Sequence, residues 1–184
     1  MKIAGYILSG GKNSRMQGRK KLFLTFQKTP FYTHIIKAMS SLHAIYLSVD
    51  QIAPYEETGL PLIKDIYPEI GPVGGIYTGL IKCEEDALFV TACDMPLIKK
   101  EHVETLIEIF EKNEDCVVIA QSGGRLHPLF GIYPKSILPV LTSMIEEENY
   151  RVRDVAKRTK TIVVTLPEDG SLKNINTPKE YEDV

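Results

Sequence analysis

"IAGYILSGGKNSRMQGRKK", residues Ile3 to Lys21, joins an uncharged apolar run to two adjacent glycines and then to a basic cluster. Ile3 to Leu8 has the length and composition of a buried strand. Gly10-Gly11 ends it, and Arg15, Arg19, Lys20 and Lys21 crowd the segment that follows. Backbone N–H groups of a glycine-rich loop after a strand converge on an anion, and adjacent Lys and Arg side chains neutralise it, so phosphate is the natural guest. The pattern G-x-x-x-x-G-K-[ST] does not fit, because Tyr6 stands where its first Gly belongs and Asn13 where it needs Ser or Thr. The fingerprint G-x-G-x-x-G fails as well, since Lys12 and Asn13 follow the glycine pair. The competing reading is that the glycines only turn the chain and the charges form a solvated rim.

Working outward, Pro30 sits at a first helical position, and Phe31, Ile35, Ile36 and Met39 follow at helical spacing. "AIYLSV" (Ala44 to Val49) reads as a strand, and "LPLI" (Leu60 to Ile63) as a brief or edge strand because of Pro61. A loop carrying Pro68, Gly71-Pro72 and Gly74-Gly75 enters a helix near Val73. "ALFVTACDMP" (Ala87 to Pro96) is the clearest buried strand, and Lys100 to Lys112 places Val103, Leu106, Ile107 and Phe110 on one helical face. After Cys116 come two strands joined at Ser122-Gly123-Gly124, then helical patterns over Ile137 to Glu148 and Val152 to Lys157, a strand at Thr161 to Leu166, and a helix starting at Pro178.

Strands alternating with helices predict an α/β, Rossmann-like fold: a mainly parallel central sheet with helices on both faces and one hairpin-like insertion. Ligands of such sheets bind beyond the carboxyl ends of the strands. The basic loop after Leu8 and the turn at Asp94 both lie at such ends and can face one crevice.

The chain of 184 residues suits one domain, with hydrophobic and charged shares of 43% and 25% that exclude disordered and collagen-like classes. A net charge of -2 gives no general attraction to nucleic acid or to a membrane surface. Cys83, Cys93 and Cys116 are widely spaced and odd in number, which suggests neither a disulfide framework nor zinc and fits a reducing cytoplasm. The N-terminal apolar run is too short for a signal-peptide core, and no stretch is long enough to span a bilayer, so a cytoplasmic location is expected.

Asp94 changes the balance at the loop. An unpaired carboxylate at the end of a central strand would cost several kcal/mol. It is read either as a helix N-cap after Pro96 or as a ligand for Mg²⁺, which nucleoside triphosphate chemistry holds through one or two carboxylates and phosphate oxygens.

At this point the motifs resemble a family. "ILSGGKNSRM" with "GRKK" is similar to the L-A-G-G-x-S-x-R-M-G-x-D-K signature of Rossmann-like nucleotidyltransferases, and "GPVGG", "CDMP", His127-Pro128 and "NINTP" extend the likeness over essentially all 184 residues to the molybdenum cofactor guanylyltransferase (MobA) family. The resemblance implies a single nucleotidyltransferase domain, 1–184, that transfers GMP from GTP to molybdopterin with release of pyrophosphate. Other cofactor-biosynthesis or molybdoenzyme-maturation proteins are its implied further partners. By position, Leu8, Ser9 and Gly10 would form backbone against the nucleotide, Gly11 and Arg15 would cradle the triphosphate, Asp65 matches an aspartate of the nucleotide site, and Asp94 the Mg²⁺ ligand. Asn174 and Asn176 fall toward the pterin side, with Arg151 or Arg153 as further contacts there.

Two positions depart from the signature. The Asp before the phosphate-binding Lys is missing from Arg19-Lys20-Lys21: counting back from Pro30 assigns that Lys to Lys21, and counting forward from Arg15 assigns it to Lys20. Ser48 stands where relatives carry an Asn near the base. The acceptor phosphate is already anionic, so no general base is required, and catalysis reduces to positioning and charge neutralisation by Mg²⁺ on Asp94 with Lys21 and Arg15. His127 reads as a packed loop histidine and Cys93 as core. The alternatives are a related enzyme using CTP with molybdopterin or a sugar phosphate, and a noncatalytic nucleotide-binding partner.

Overall fold

Alternate residues of the first strand go to opposite faces, and both faces are covered. Strand β1 (Ile3–Leu8) sends Ile3 and Ile7 into one apolar cluster and Ala4, Tyr6 and Leu8 into another. Strand β8 (Ala87–Ala92), its neighbour, divides in the same way, Phe89 joining the first cluster and Leu88 and Val90 the second. Such strands have no face to show to water, which is why β1 reads as an apolar run and β8 as one broken only by the buried Thr91.

The computed structural model describes residues 1–9, 15–16, 19–176 and 180. Between β1 and β8 lie the short strands β2 (Arg15–Met16), β3 (Arg19–Lys20), β4 (Thr25–Phe26) and β5 (Thr29–Pro30), helix α1 (Phe31–Ala38), strands β6 (Ala44–Val49) and β7 (Leu62–Lys64), and helix α2 (Pro72–Lys82). After β8 come α3 (Lys100–Glu111), β9 (Val117–Ser122), β10 (Arg125–Pro134), α4 (Leu138–Glu146), α5 (Val155–Arg158) and β11 (Thr161–Thr165). The central sheet has the order β11-β9-β10-β8-β1-β6-β7. All its neighbours are parallel except β10, which runs antiparallel to β8 and β9. The expected fold class is therefore the observed one, with β9 and β10 as the hairpin. Gly123 (φ 55°) and Gly124 (φ 72°) both take the left-handed conformation that a tight hairpin turn demands.

Helices α1 and α3 cover one face through Ile35, Val103, Leu106 and Phe110, and α2 and α4 cover the other through Val73, Ile76, Leu141 and Met144. Pro30 sits one position earlier than expected, flanking α1 and pairing with Thr25 across the β4–β5 ribbon. The 3₁₀ segment Ala53–Thr58 and the two small ribbons are too short to give a periodic signal. The helix expected from Pro178 lies outside the described residues. Among the described residues, no helix is long and apolar enough to cross a membrane.

Candidate functional site

The sheet register sets three strand ends side by side. Leu8 of β1 stands opposite Ser48 of β6 and Ala92 of β8. The chain beyond is laced to this edge: the Ser9 amide and hydroxyl both donate to the Ser48 carbonyl (3.2 and 2.5 Å), and the Cys93 amide donates to the Leu8 carbonyl (3.0 Å). Two residues past the row on either side stand Asp50 and Asp94.

Asp94 is fully partnered. Its Oδ2 lies 3.2 Å from Lys21 Nζ, its Oδ1 accepts from Asn174 Nδ2 at 3.1 Å, and its carbonyl accepts the Ile175 amide at 2.8 Å. Lys21 Nζ also donates to Asn176 Oδ1 at 2.8 Å. The sequence offered Mg²⁺ or a helix N-cap as the partner of this carboxylate, and the chain itself brings a counter-charge from 73 residues away. The N-cap alternative fails too, because α3 begins at Lys100 with Lys99 as the capping position and no side-chain cap.

Apolar anchors deliver these groups. Lys21 opens a 3₁₀ turn (Lys21–Phe23), and Leu22 and Leu24 beside it are buried. Ile175, between the two asparagines, is fully buried against Leu24 and Phe31. Lys21 itself is 4% exposed, a burial that would cost an unpaired ammonium several kcal/mol and that fixes it on the carboxylate and the amide oxygen.

Lys20, one residue earlier, points elsewhere. Its Nζ pairs with Asp50 Oδ1 at 3.2 Å and sits 4.5 Å from the centroid of the Tyr55 ring. The Tyr55 hydroxyl donates to the Ser9 carbonyl at 3.3 Å, so this corner is tied to the end of β1. Burial works to lower the Lys20 pKa, but Tyr55 and Asp50 together outweigh it and the net shift is upward. Neither Asp50 nor Tyr55 was singled out from the sequence. The signal for Asp50 was present, since "SVD" after β6 repeats the pattern of a carboxylate just past an apolar strand that marked Asp94.

Asp65 follows β7 and accepts a hydrogen bond from Ser48 Oγ at 2.7 Å. Burial raises its carboxyl pKa, the Ser48 bond partly opposing the rise. A Cβ on Gly75 would come within 2.7 Å of Leu8 Cδ2 and 4.0 Å of Asp65 Oδ1, so the first turn of α2 lies over the end of β1 and beside this carboxylate. Ser48, the departure from the signature, is therefore the group that orients Asp65.

The remaining expected residues fall as follows. Gly10 and Gly11 lie outside the described residues, and the backbone of Arg15 pairs with that of Lys20. Asn174 and Asn176 meet Asp94 and Lys21 themselves. Arg151 and Arg153 are exposed around a 3₁₀ turn before α5. His127 borders a bulge in β10, and burial and Arg125 lower its pKa. Cys93 is core as expected, its thiol pushed up to about 12 by burial and by Asp94.

Residues 5–162 match the family model for the MobA-like NTP transferase domain. The chain belongs to the MobA-like NTP transferase family. A probable molybdenum cofactor guanylyltransferase of Clostridium perfringens (strain 13 / Type A) is 36% identical over 100% of this chain and 96% of its own. A protein of the same description from Flavobacterium johnsoniae is 35% identical over 99% and 96%. The crystal structure of molybdopterin-guanine dinucleotide biosynthesis protein A from Archaeoglobus fulgidus superposes with a TM-score of 0.78 at 22% identity, covering 98% of this chain and 95% of that one. CMP:2-keto-3-deoxy-manno-octonic acid synthetase complexed with CTP gives 0.76 at 14% identity, covering 100% and 96%. At these identities the two structures establish the nucleotidyltransferase fold alone, and in this MobA-like chain the site sits at the carboxyl edge of the sheet.

Proposed function

We propose that this MobA-like transferase moves GMP from GTP to the terminal phosphate of molybdopterin, forming molybdopterin guanine dinucleotide and releasing pyrophosphate in the cytoplasm. The observation that carries the reading is the Lys21–Asp94 pair with Asn174 and Asn176 at the end of β8. The relatives described as molybdenum cofactor guanylyltransferases support the choice of substrates, and the free cysteines suit a reducing compartment.

In this reaction an oxygen of the acceptor phosphate forms a bond to the α-phosphorus of GTP while the bond from that phosphorus to the bridging oxygen of pyrophosphate breaks. The nucleophile is already anionic, so no side chain has to remove a proton. What the chain supplies is alignment and positive charge. Lys21, beside Asp94 at the strand end, supplies positive charge to the triphosphate, and Arg15 adds a second charge. At the opposite end of the nucleotide, Asp65, oriented by Ser48, accepts from the N1–H and N2–H₂ donors of guanine, whereas cytosine presents one exocyclic donor.

Mg²⁺ takes one or two carboxylates and completes its shell with phosphate oxygens and water, and the carboxylate proposed for it is Asp94, whose oxygens here meet Lys21 and Asn174 and would have to exchange those partners for the ion. Asp94 would hold it through its carboxylate, and the ion would neutralise charge on the triphosphate. The test is pyrophosphate release from GTP, molybdopterin and Mg²⁺, with parallel calorimetry. GTP is expected to bind at least about tenfold tighter than CTP or ATP, because a site built to satisfy buried polar groups rejects ligands that leave them unpaired. Release with CTP but not GTP would move the reading to cytidylyl transfer, and release with neither would end it.

A further inference from the structure

The segment that carries Asn174 and Asn176 is held from outside the site. After β11 the chain leaves the sheet with the Leu166 amide on the Gln121 carbonyl and crosses the N-terminal turn of α3 before reaching Asp94. There Lys99 Nζ meets Asp169 Oδ2 at 2.8 Å, and the Ser171 amide donates to Asp169 Oδ1 at 2.9 Å. Ser171 Oγ and His102 Nδ1 lie 3.1 Å apart, and His102 Nε2 stands 3.8 Å from Asp169 Oδ2. The bond from Lys99, then that from Ser171, holds the Asp169 carboxyl well below the usual range.

Ser171, His102 and Asp169 are the residue types of a nucleophilic triad, but this cluster has no room for a substrate. Ser171 is 2% exposed and His102 6%. A buried imidazole and hydroxyl that bond each other across 69 residues of sequence instead join two elements. Leu172 enters the main apolar cluster just after the junction, and Gly170 (φ 78°) with the Lys173 amide on the Gly170 carbonyl (3.1 Å) turns the chain toward Asp94. Two residues past Leu172 begin the contacts of Asn174, Ile175 and Asn176 with Asp94 and Lys21.

We propose that His102 with Ser171, and Lys99 with Asp169, form a clasp that positions the 168–176 strap, so that α3 sets where Asn174 and Asn176 meet Asp94 and Lys21. These are positioning residues, and the role in transfer rests on the function proposed above. The clasp explains why an asparagine pair at the far end of the chain arrives at a strand end in register: apolar burial at Leu172 and Ile175 fixes depth, and the polar junction fixes direction.

The experiment is a double-mutant cycle between Ser171→Ala and Asn174→Ala, read by amide exchange at Ile175 and by transfer kinetics. Ser171→Ala removes one hydroxyl with little loss of packing, and Asp169→Asn provides a second route should it unfold. Ser171→Ala is expected to speed exchange of the Ile175 amide about tenfold, the scale of one lost hydrogen bond, while the Val90 amide in β8 is unchanged. It is also expected to lower kcat about five- to tenfold with KM for GTP little moved, and to cost clearly less in the Asn174→Ala background than in the parent, because the clasp acts in part through that asparagine. Unchanged Ile175 exchange in both variants overturns the clasp. Faster exchange with additive losses in the cycle overturns its role at the site. A parent protein that transfers nothing faults the functional reading, and Ile175 exchange then judges the clasp by itself.

Discussion

Two lysines that are adjacent in sequence end in two corners of the same edge, each 3.2 Å from an aspartate. At the β8 corner the Lys21 and Asp94 side chains are 5% and 13% exposed, and amides of Asn174 and Asn176 complete their shells. At the β6 corner the Lys20 and Asp50 side chains are 12% and 39% exposed, and the second partner is the face of Tyr55. Equal distances therefore conceal unequal consequences. A buried, amide-supported pair is costly to break, whereas a pair whose carboxylate is exposed is partly screened and contributes less.

The strongest way to break this contrast is Asp94→Asn, which keeps shape and removes charge. Transfer is expected to fall below detection at saturating Mg²⁺, a loss of several kcal/mol in transition-state stabilisation, with the fold retained by circular dichroism. Activity within tenfold of the parent would show that the β8 corner is only structural. Next, Lys21→Ala should lower transfer by about 10² or more, roughly 2.7 kcal/mol, and Lys20→Ala much less. The opposite ranking would mean that the β6 corner meets the triphosphate.

Stability sharpens the same comparison with no substrate present. Lys21→Met leaves Asp94 without its counter-charge and is expected to cost about 3 kcal/mol in urea unfolding, against less than about 1 kcal/mol for Lys20→Met. Similar losses from both would mean that exposure does not separate the two pairs. The smallest effect concerns Asp65. Its carboxyl pKa is raised by burial, so the folded state binds its proton more tightly than the unfolded one, and stability from this group is present at low pH and lost as pH rises through the folded value. Asp65→Asn should accordingly raise Tm at neutral pH, and the gain should vanish as pH falls below the ordinary carboxylate range. A gain independent of pH would point to packing.

Much of this was legible in one dimension where burial is local. The runs Ile3–Leu8 and Ala87–Ala92 carry their own signal, because a strand covered on both faces is predominantly apolar, Thr91 being the one hydroxyl in the second run. The hairpin was readable from Gly123-Gly124, and Asp94 from its place after such a run. The ribbons β2–β3 and β4–β5 were not, since two residues form no period. His102 and Ser171 were passed over for another reason: a polar residue in a helix turn or a loop looks solvated until the partner that buries it is known.

The sequence by itself determined the α/β alternation and the parallel sheet with one hairpin, and it put Lys20, Lys21 and Asp94 at strand ends of one sheet edge, because strand periodicity, turn chemistry and charge are properties of neighbouring residues. Only the tertiary structure decided which of the two lysines meets which aspartate. Counting forward from Arg15 and back from Pro30 gave different answers, and what chose Lys21 for Asp94 was the burial of Leu22, Leu24 and Ile175, which seats the 3₁₀ turn and the returning strap on either side of the carboxylate. It also decided that Asp94 is paired at all, since its partners come from positions 21 and 174, brought to one strand end by packing of apolar residues far apart in the chain.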